Sequence, residues 1–107
     1  DTARELRQIL RGVVEGGTGK RAEVKGYYPA GKTGTAQKIE ADGRYSHRKF
    51  TASFIGFVPF DKPRFVVVVV MDEPGPSHFG GTVCAPVFKK VAEELMHYYK
   101  IEPRDET

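Results

Sequence analysis

Residues 26–39 read Gly26-Tyr27-Tyr28-Pro29-Ala30-Gly31-Lys32-Thr33-Gly34-Thr35-Ala36-Gln37-Lys38-Ile39. Whether Lys32 opens a helix or lies on a strand decides the fold. Residues 26–33 satisfy G-x-x-x-x-G-K-[ST], the pattern of a phosphate-binding loop. Such a loop needs a strand ahead of it and a helix starting at its Lys-Thr, so that helix amides point at phosphate. No clear strand precedes Gly26, and no helical pattern begins at Lys32. Instead Thr33, Thr35 and Gln37 alternate with Lys32, Gly34, Ala36 and Lys38, a period of two that suits a strand. Asp42-Gly43 then gives a hairpin signal. Residues 31–40 are therefore expected as a strand, and the nucleotide-binding loop is kept as an alternative.

Two more strands follow from this one. Residues 49–60 make the second, with Gly56 marking a bulge or a close approach. Asp61-Lys62-Pro63-Arg64 is a tight turn. Residues 64–72 make the third, and 65–71 are apolar on both faces, which calls for cover on both sides. Such short turns force antiparallel neighbours. Towards the N-terminus, Leu6, Ile9, Leu10, Val13 and Val14 carry helical spacing and predict a helix over 2–15. Asp1 and Thr2 are its candidate caps and Gly16-Gly17 its stop. Residues 15–28 read as a glycine-rich loop and 72–84 as an irregular one. Pro86 suits a first helical turn. Val87, Phe88, Val91, Ala92, Leu95, Met96 and Tyr99 then predict a helix over 85–100, closed by Pro103. The expected fold is α+β: a three-stranded antiparallel sheet with a helix at each end of the chain. Two helices are too few to cover the 65–71 strand on both faces and its free edge. More of the domain is expected to lie against it.

Composition excludes several classes. The 107 residues suffice for one domain or a piece of one. A single cysteine, Cys84, excludes a disulfide scaffold. An ordinary apolar content of 39%, concentrated in the blocks 50–60 and 65–71, argues against a disordered chain. No apolar run approaches the roughly 20 residues of a membrane-spanning helix. The 17 basic residues against 14 acidic ones leave a net charge of +3, which permits anionic ligands without demanding nucleic acid. No signal peptide is visible. Beginning at Asp1 within a helical pattern, the sequence reads as an excised segment, with any targeting or anchoring segment outside it.

Placed on a strand, Lys32-Thr33-Gly34-Thr35 has a coherent chemistry. Lys32 supplies a positive charge, and the hydroxyls of Thr33 and Thr35 can donate to a carboxylate. Gly34 lets another group approach the backbone. An edge strand can also bind an extended peptide by strand addition. A lysine–carboxylate pair at ~4 Å is worth about 4 kcal/mol before desolvation at an effective dielectric constant near 20. The plain alternative is a surface strand with an exposed lysine.

Lys32-Thr33-Gly34 resembles the K-T-G element of penicillin-binding proteins and serine β-lactamases. The surroundings extend the match: Ala30-Gly31-Lys32-Thr33-Gly34-Thr35-Ala36-Gln37, then Ser53-Phe54-Ile55-Gly56-Phe57-Val58-Pro59, then 66–70 with Met71-Asp72-Glu73-Pro74. Gly80-Gly81-Thr82-Val83 and Ala85-Pro86-Val87-Phe88 follow, and Val14-Glu15-Gly16-Gly17-Thr18-Gly19 lies upstream. Together they resemble the C-terminal part of a class B penicillin-binding protein transpeptidase domain over residues 5–100.

The resemblance implies a D,D-transpeptidase that cross-links peptidoglycan and is acylated by β-lactams. It implies that Lys32 assists acylation and substrate docking. It makes Thr33 and Thr35 the binders of a D-Ala-D-Ala or β-lactam carboxylate, with Gly34 keeping the strand open to the acyl group. The N–H of Thr35 becomes an oxyanion donor, and one such donor is worth ~3–4 kcal/mol in the transition state. Lys32 and Thr35 are thus the expected catalytic residues, and Lys32, Thr33, Gly34 and Thr35 the expected substrate-binding ones. No cofactor and no metal are implied. The family's S-x-x-K and S-x-N motifs precede K-T-G, and neither is found in that order here. Residues 1–107 are therefore expected to be an incomplete part of the domain, inactive alone, whose partner is the rest of it. The resemblance also implies extracytoplasmic chemistry in a membrane-anchored parent.

Other candidates carry less. Ser46-His47-Arg48-Lys49 spells S-x-x-K, but after K-T-G and in a polar hairpin, where a lysine stays solvated. Ser77-His78 with Asp72 or Glu73 has triad letters in a loop. Cys84 is expected to pack beneath the last helix. The basic hairpin Arg44-Tyr45-Ser46-His47-Arg48-Lys49-Phe50 reads as an exposed turn rather than a nucleic-acid site. Besides the nucleotide binder, a non-catalytic peptide-binding module remains an alternative. The 65–71 strand is expected to make the isolated chain self-associate.

Overall fold

The computed structural model describes residues 1–73 and 83–104. Helix α1 spans Thr2–Gly16. The Asp1 carboxylate accepts from the Arg4 N–H at 2.8 Å, so Asp1 is the cap. At the other end Gly17 N–H bonds to Val13 O at 3.0 Å. A short 3-10 turn, Lys20–Ala22, interrupts the stretch expected as loop. Strands β1 (Ala30–Ile39), β2 (Tyr45–Val58) and β3 (Phe65–Asp72) follow, and helix α2 spans Ala85–Tyr98. The chain is α+β. Among the described residues the sheet order is β1-β2-β3, with both pairings antiparallel. Gly80-Gly81-Thr82 and Ser77-His78 lie outside the described residues.

The nucleotide-binding alternative is overturned. Lys32 and Thr33 lie within β1, paired to Ile55 and Phe54 of β2. No helix begins there to aim amides at a phosphate.

Three element ends lie two or more residues from expectation, among them the end of β2, which stops at Val58 rather than at 60. β2 starts at Tyr45 rather than 49, because the hairpin closes at once through Glu40 N–H to Arg44 O (2.8 Å). The register then shifts: Ile39 faces Tyr45 and Gln37 faces Phe50, so 46–49 bulge opposite Lys38. Polar residues there do not prevent pairing, and Ser46 Oγ accepts from Lys49 N–H at 2.8 Å across the bulge. α2 stops before 100, because Lys100 takes φ +56° and Ile101 N–H reaches back to Met96 O at 2.9 Å. That left-handed residue ends the helix before Pro103 can.

Both helices pack on the same face of the sheet. Phe54 and Phe88 meet there with ring centroids 4.9 Å apart, among Val14, Val58, Ala92 and Met96, all fully buried. Two glycines make the room. A Cβ on Gly56 would lie 2.5 Å from the Phe88 ring, and one on Gly31 would lie 2.8 Å from the Phe54 ring and 2.5 Å from Ile55 O. The opposite face is bare: Ile55, Val66, Val68 and Val70 are 52–70% exposed. β3 thus alternates half-buried and exposed residues, all apolar up to Met71. The stripe of α1 is only partly used. Val14 is buried and Leu10 and Val13 half-buried, while Leu6 and Ile9 are exposed beyond the reach of the sheet. Arg11 is buried instead, at 7% exposure.

The packing separates two glycine substitutions. Gly56→Ala should destabilise the protein by about 1–3 kcal/mol through overpacking. Gly12→Ala, where an added Cβ meets nothing within 4 Å, should stabilise α1 by up to about 1 kcal/mol. Chemical denaturation reads both, and equal tolerance at the two positions would contradict this description of the core.

Candidate functional site

β1 pairs on one side only among the described residues, so the Lys32-Thr33-Gly34-Thr35 stretch runs along a sheet edge. Its backbone is extended, because residues 30–37 stay in register with 50–57. Register also decides where the side chains go. Lys32 faces Ile55, which faces Val68, so the lysine leaves the sheet on its bare side. Thr33 faces the buried Phe54 and Thr35 faces the buried Ala52, so both leave on the helix side. The two sets meet around the edge. Lys32 Nζ lies 3.0 Å from Thr33 O and 3.3 Å from Thr33 Oγ1. Thr33 Oγ1 is in turn 3.4 Å from Thr18 Oγ1, on the loop after α1. An ammonium and two hydroxyls are thereby gathered at one exposed strip. Thr35 is exposed on the same side of β1 as Thr33, two residues or about 7 Å along the strand.

Gly34 faces Ser53, and a Cβ at position 34 would lie 2.7 Å from Ser53 Oγ. The absent side chain therefore lets the hydroxyl of the half-buried Ser53 sit close against the Gly34 backbone. Thr18 and Ser53 were not singled out from the sequence as site residues. Thr18 is brought in by the Gly16-Gly17 reversal, and Ser53 by strand register, which a motif alone does not reveal. Chemically, the strip offers one fixed cation, adjacent hydroxyl donors and an open strand edge. Those are the elements needed to hold a carboxylate-ended, extended ligand.

The other candidates have different occupations. Ser46 is nearly fully buried, and its hydroxyl accepts from the Lys49 backbone. Asp72 and Glu73 are taken by Lys38, whose Nζ lies 3.1 Å and 3.0 Å from their carboxylates, and Thr51 Oγ1 donates to Asp72 at 3.2 Å. The hydrogen bonds to Glu73 and then Asp72 raise the Lys38 pKa, and that from Lys38 lowers the Asp72 pKa. The pair bridges β1 to β3 across β2. Cys84 is fully buried at the start of α2, and burial pushes its thiol up, away from the reactive thiolate. Arg44, Tyr45, His47 and Lys49 are exposed on the hairpin. Among the described residues no cluster of His, Cys, Asp and Glu is placed to hold a metal ion.

Comparison with known proteins gives a consistent set of matches. The penicillin binding protein transpeptidase domain profile matches residues 1–93. The chain is 44% identical over 97% of its length to stage V sporulation protein D of Bacillus subtilis, covering 16% of that protein. It is 43% identical over 95% of its length to the probable peptidoglycan D,D-transpeptidase PenA of Neisseria gonorrhoeae, covering 18% of it. The chain thus spans about a sixth of the length of these relatives. Among solved structures it superposes on the transpeptidase domain of Burkholderia pseudomallei penicillin-binding protein 3 with a TM-score of 0.85 at 41% identity. That match covers 96% of this chain and 31% of the other. Penicillin-binding protein 3 of Mycobacterium tuberculosis in complex with ampicillin matches with a TM-score of 0.82 at 36% identity, over 94% of this chain and 24% of that one.

Proposed function

The chain belongs to the penicillin binding protein transpeptidase family, and on that premise we propose that it forms the K-T-G wall of a peptidoglycan D,D-transpeptidase acylated by β-lactams. The observation that carries the reading is the extended Lys32-Thr33-Gly34-Thr35 edge, with Lys32 Nζ 3.3 Å from Thr33 Oγ1. In this reading the hydroxyls of Thr33 and Thr35 donate to the terminal carboxylate of a D-Ala-D-Ala stem peptide, or to the carboxylate of a β-lactam. Lys32 supplies the positive field that docks the carboxylate and assists acylation. Bound substrate competes with Thr33 O for the hydrogen bond that the Lys32 ammonium donates. The ligand backbone lies along the β1 edge. Gly34, with no side chain, leaves space for the acyl group, and the Thr35 N–H donates to its oxyanion.

The nucleophile comes from the remainder of the domain. Its serine attacks the carbonyl and expels D-alanine, or opens the β-lactam ring, and an amine of a second stem peptide then resolves the acyl-enzyme. No metal or organic cofactor enters these steps. The remainder also covers Ile55, Val66, Val68 and Val70 and pairs with the edge of β3 that has no strand beside it among the described residues, so the complete sheet is wider than three strands. On this reading residues 1–107 are an incomplete part of one domain and are inactive alone. The substrate is cell wall, so the domain works outside the cytoplasmic membrane. Among the described residues no helix is long and apolar enough to cross a membrane, and the anchor of the parent lies in another part of it.

Labelling of the full-length parent with fluorescent penicillin tests the function. Covalent labelling should depend on a serine outside this chain. Lys32→Ala should slow it by roughly 10–150-fold, the 1.5–3 kcal/mol typical of a hydrogen bond to a charged group. Reversible binding without a covalent adduct would favour the non-catalytic peptide-binding module instead. Sedimentation of the isolated chain tests its incompleteness. It should self-associate through the 65–71 strand, and a monodisperse monomer would contradict the proposal.

A further inference from the structure

Residues 26–29 lead straight into the K-T-G strand, and each of them is tied down. Gly26 sits at φ +88°, its carbonyl accepts from the Arg104 N–H at 2.8 Å, and a Cβ there would lie 2.6 Å from Pro103 Cβ. Tyr27 O–H donates to Ile101 O at 2.7 Å. Tyr28 takes φ +53°, an uncommon conformation for a bulky residue. Two guanidinium groups, those of Arg11 and Arg104, each lie over its ring 5.2 Å from the centroid. Its carbonyl accepts from Phe60 N–H at 2.9 Å. Pro29 is fully buried, and its carbonyl accepts from Arg11 Nη1 at 2.8 Å.

Arg11 is the centre of this arrangement. Its guanidinium forks onto the Glu23 carboxylate at 2.8 Å and 2.7 Å while Nη1 also holds Pro29 O. One buried cation thus joins α1, the loop after the 3-10 turn and the residue just before β1. Pro29 is three residues from Lys32, about 10 Å along an extended chain. β1 is held by β2 on one side, with no second strand among the described residues to hold the other. Its placement along and across the edge therefore rests on the β2 register, on the packing of α1 against it and on this anchor. A misplacement of reacting groups by about 1 Å can cost a hundredfold in rate. Strain held by surrounding contacts is the pattern expected where geometry serves a site.

We infer that Arg11, oriented by Glu23, is a positioning residue that fixes the start of the K-T-G strand through the Pro29 carbonyl and so sets where Lys32, Thr33 and Thr35 meet a ligand. The inference rests on the functional reading above. The ordinary role for such a group is a structural ion pair. The two differ in outcome, because Arg11 is buried and the Glu23 side chain is 39% exposed, so replacing both by apolar residues leaves no unpaired buried charge. It still leaves Pro29 O without its donor.

The test uses the full-length parent and reads two quantities for each variant: the second-order rate constant for acylation by fluorescent penicillin, and the melting temperature. Arg11→Met/Glu23→Leu should stay folded at the assay temperature, with a melting temperature lowered by the unpaired Pro29 carbonyl, and acylate about tenfold more slowly there. Acylation at the parental rate by this folded double variant would overturn the inference and leave a structural pair only. Glu23→Gln retains an acceptor for the guanidinium and keeps the Pro29 bond, so it should acylate within about threefold of the parent even if the double variant fails to fold. A tenfold loss in Glu23→Gln with its melting temperature unchanged would place the effect on the carboxylate and overturn the assignment to Pro29. Failure of the functional reading is separate. It would show as a parent that does not label, or that labels equally well with Lys32→Ala.

Discussion

Phe54 packs against Phe88 because positions 31 and 56 carry no side chain, and this contact sets the register on which the site depends. With Phe54 directed to the helices, Thr33 is opposite it, and Lys32 is opposite Ile55 on the bare face. A slip of one residue would exchange those faces and bury the lysine against the core. The chemistry of K-T-G therefore begins with two glycines and two phenylalanines. The edge itself is formed by what β1 lacks, a strand on its outer side among the described residues.

Much of the architecture is legible in the sequence. Alternation over 32–38 and the absence of a helical pattern after Lys32 outweighed an eight-residue phosphate-loop match, because the loop's function requires a helix that this composition does not start. Helical spacing and a capping Asp1 located α1, and Pro86 with its apolar stripe located α2. What stayed hidden depends on distant partners. Arg11 lies on a surface-like helix in the sequence, yet it is buried because Glu23 and Pro29 O come to it through a glycine-rich loop. The bulge at 46–49 and the left-handed Lys100 are local backbone choices that residue identity barely marks. At the site, the motif points to Lys32, Thr33, Gly34 and Thr35, whereas the approach of Thr18 and the closeness of Ser53 Oγ to Gly34 follow only from folding.

The two faces of the sheet divide the work. One carries a closed aromatic core. The other presents Ile55, Val66, Val68 and Val70 alongside Lys32, an apolar surface continuous with the strip that holds the charge. Cover over that surface would exclude water from the lysine and lower the local dielectric, which strengthens its pull on a carboxylate. On the proposed reading, the bare face and the candidate site are two parts of one interface, completed together by the rest of the domain. The clamp at 26–29 lies at the opposite end of β1 from the hairpin and keeps that interface aligned.

The most direct measurement is a crystal structure of the full-length parent acylated by ampicillin. The account predicts the ligand carboxylate within hydrogen-bond distance of the Thr33 and Thr35 hydroxyls and close to Lys32 Nζ, with the acyl oxygen on the Thr35 N–H. A carboxylate bound by residues outside 32–35, or an acyl-enzyme whose β1 is no longer extended there, would contradict it.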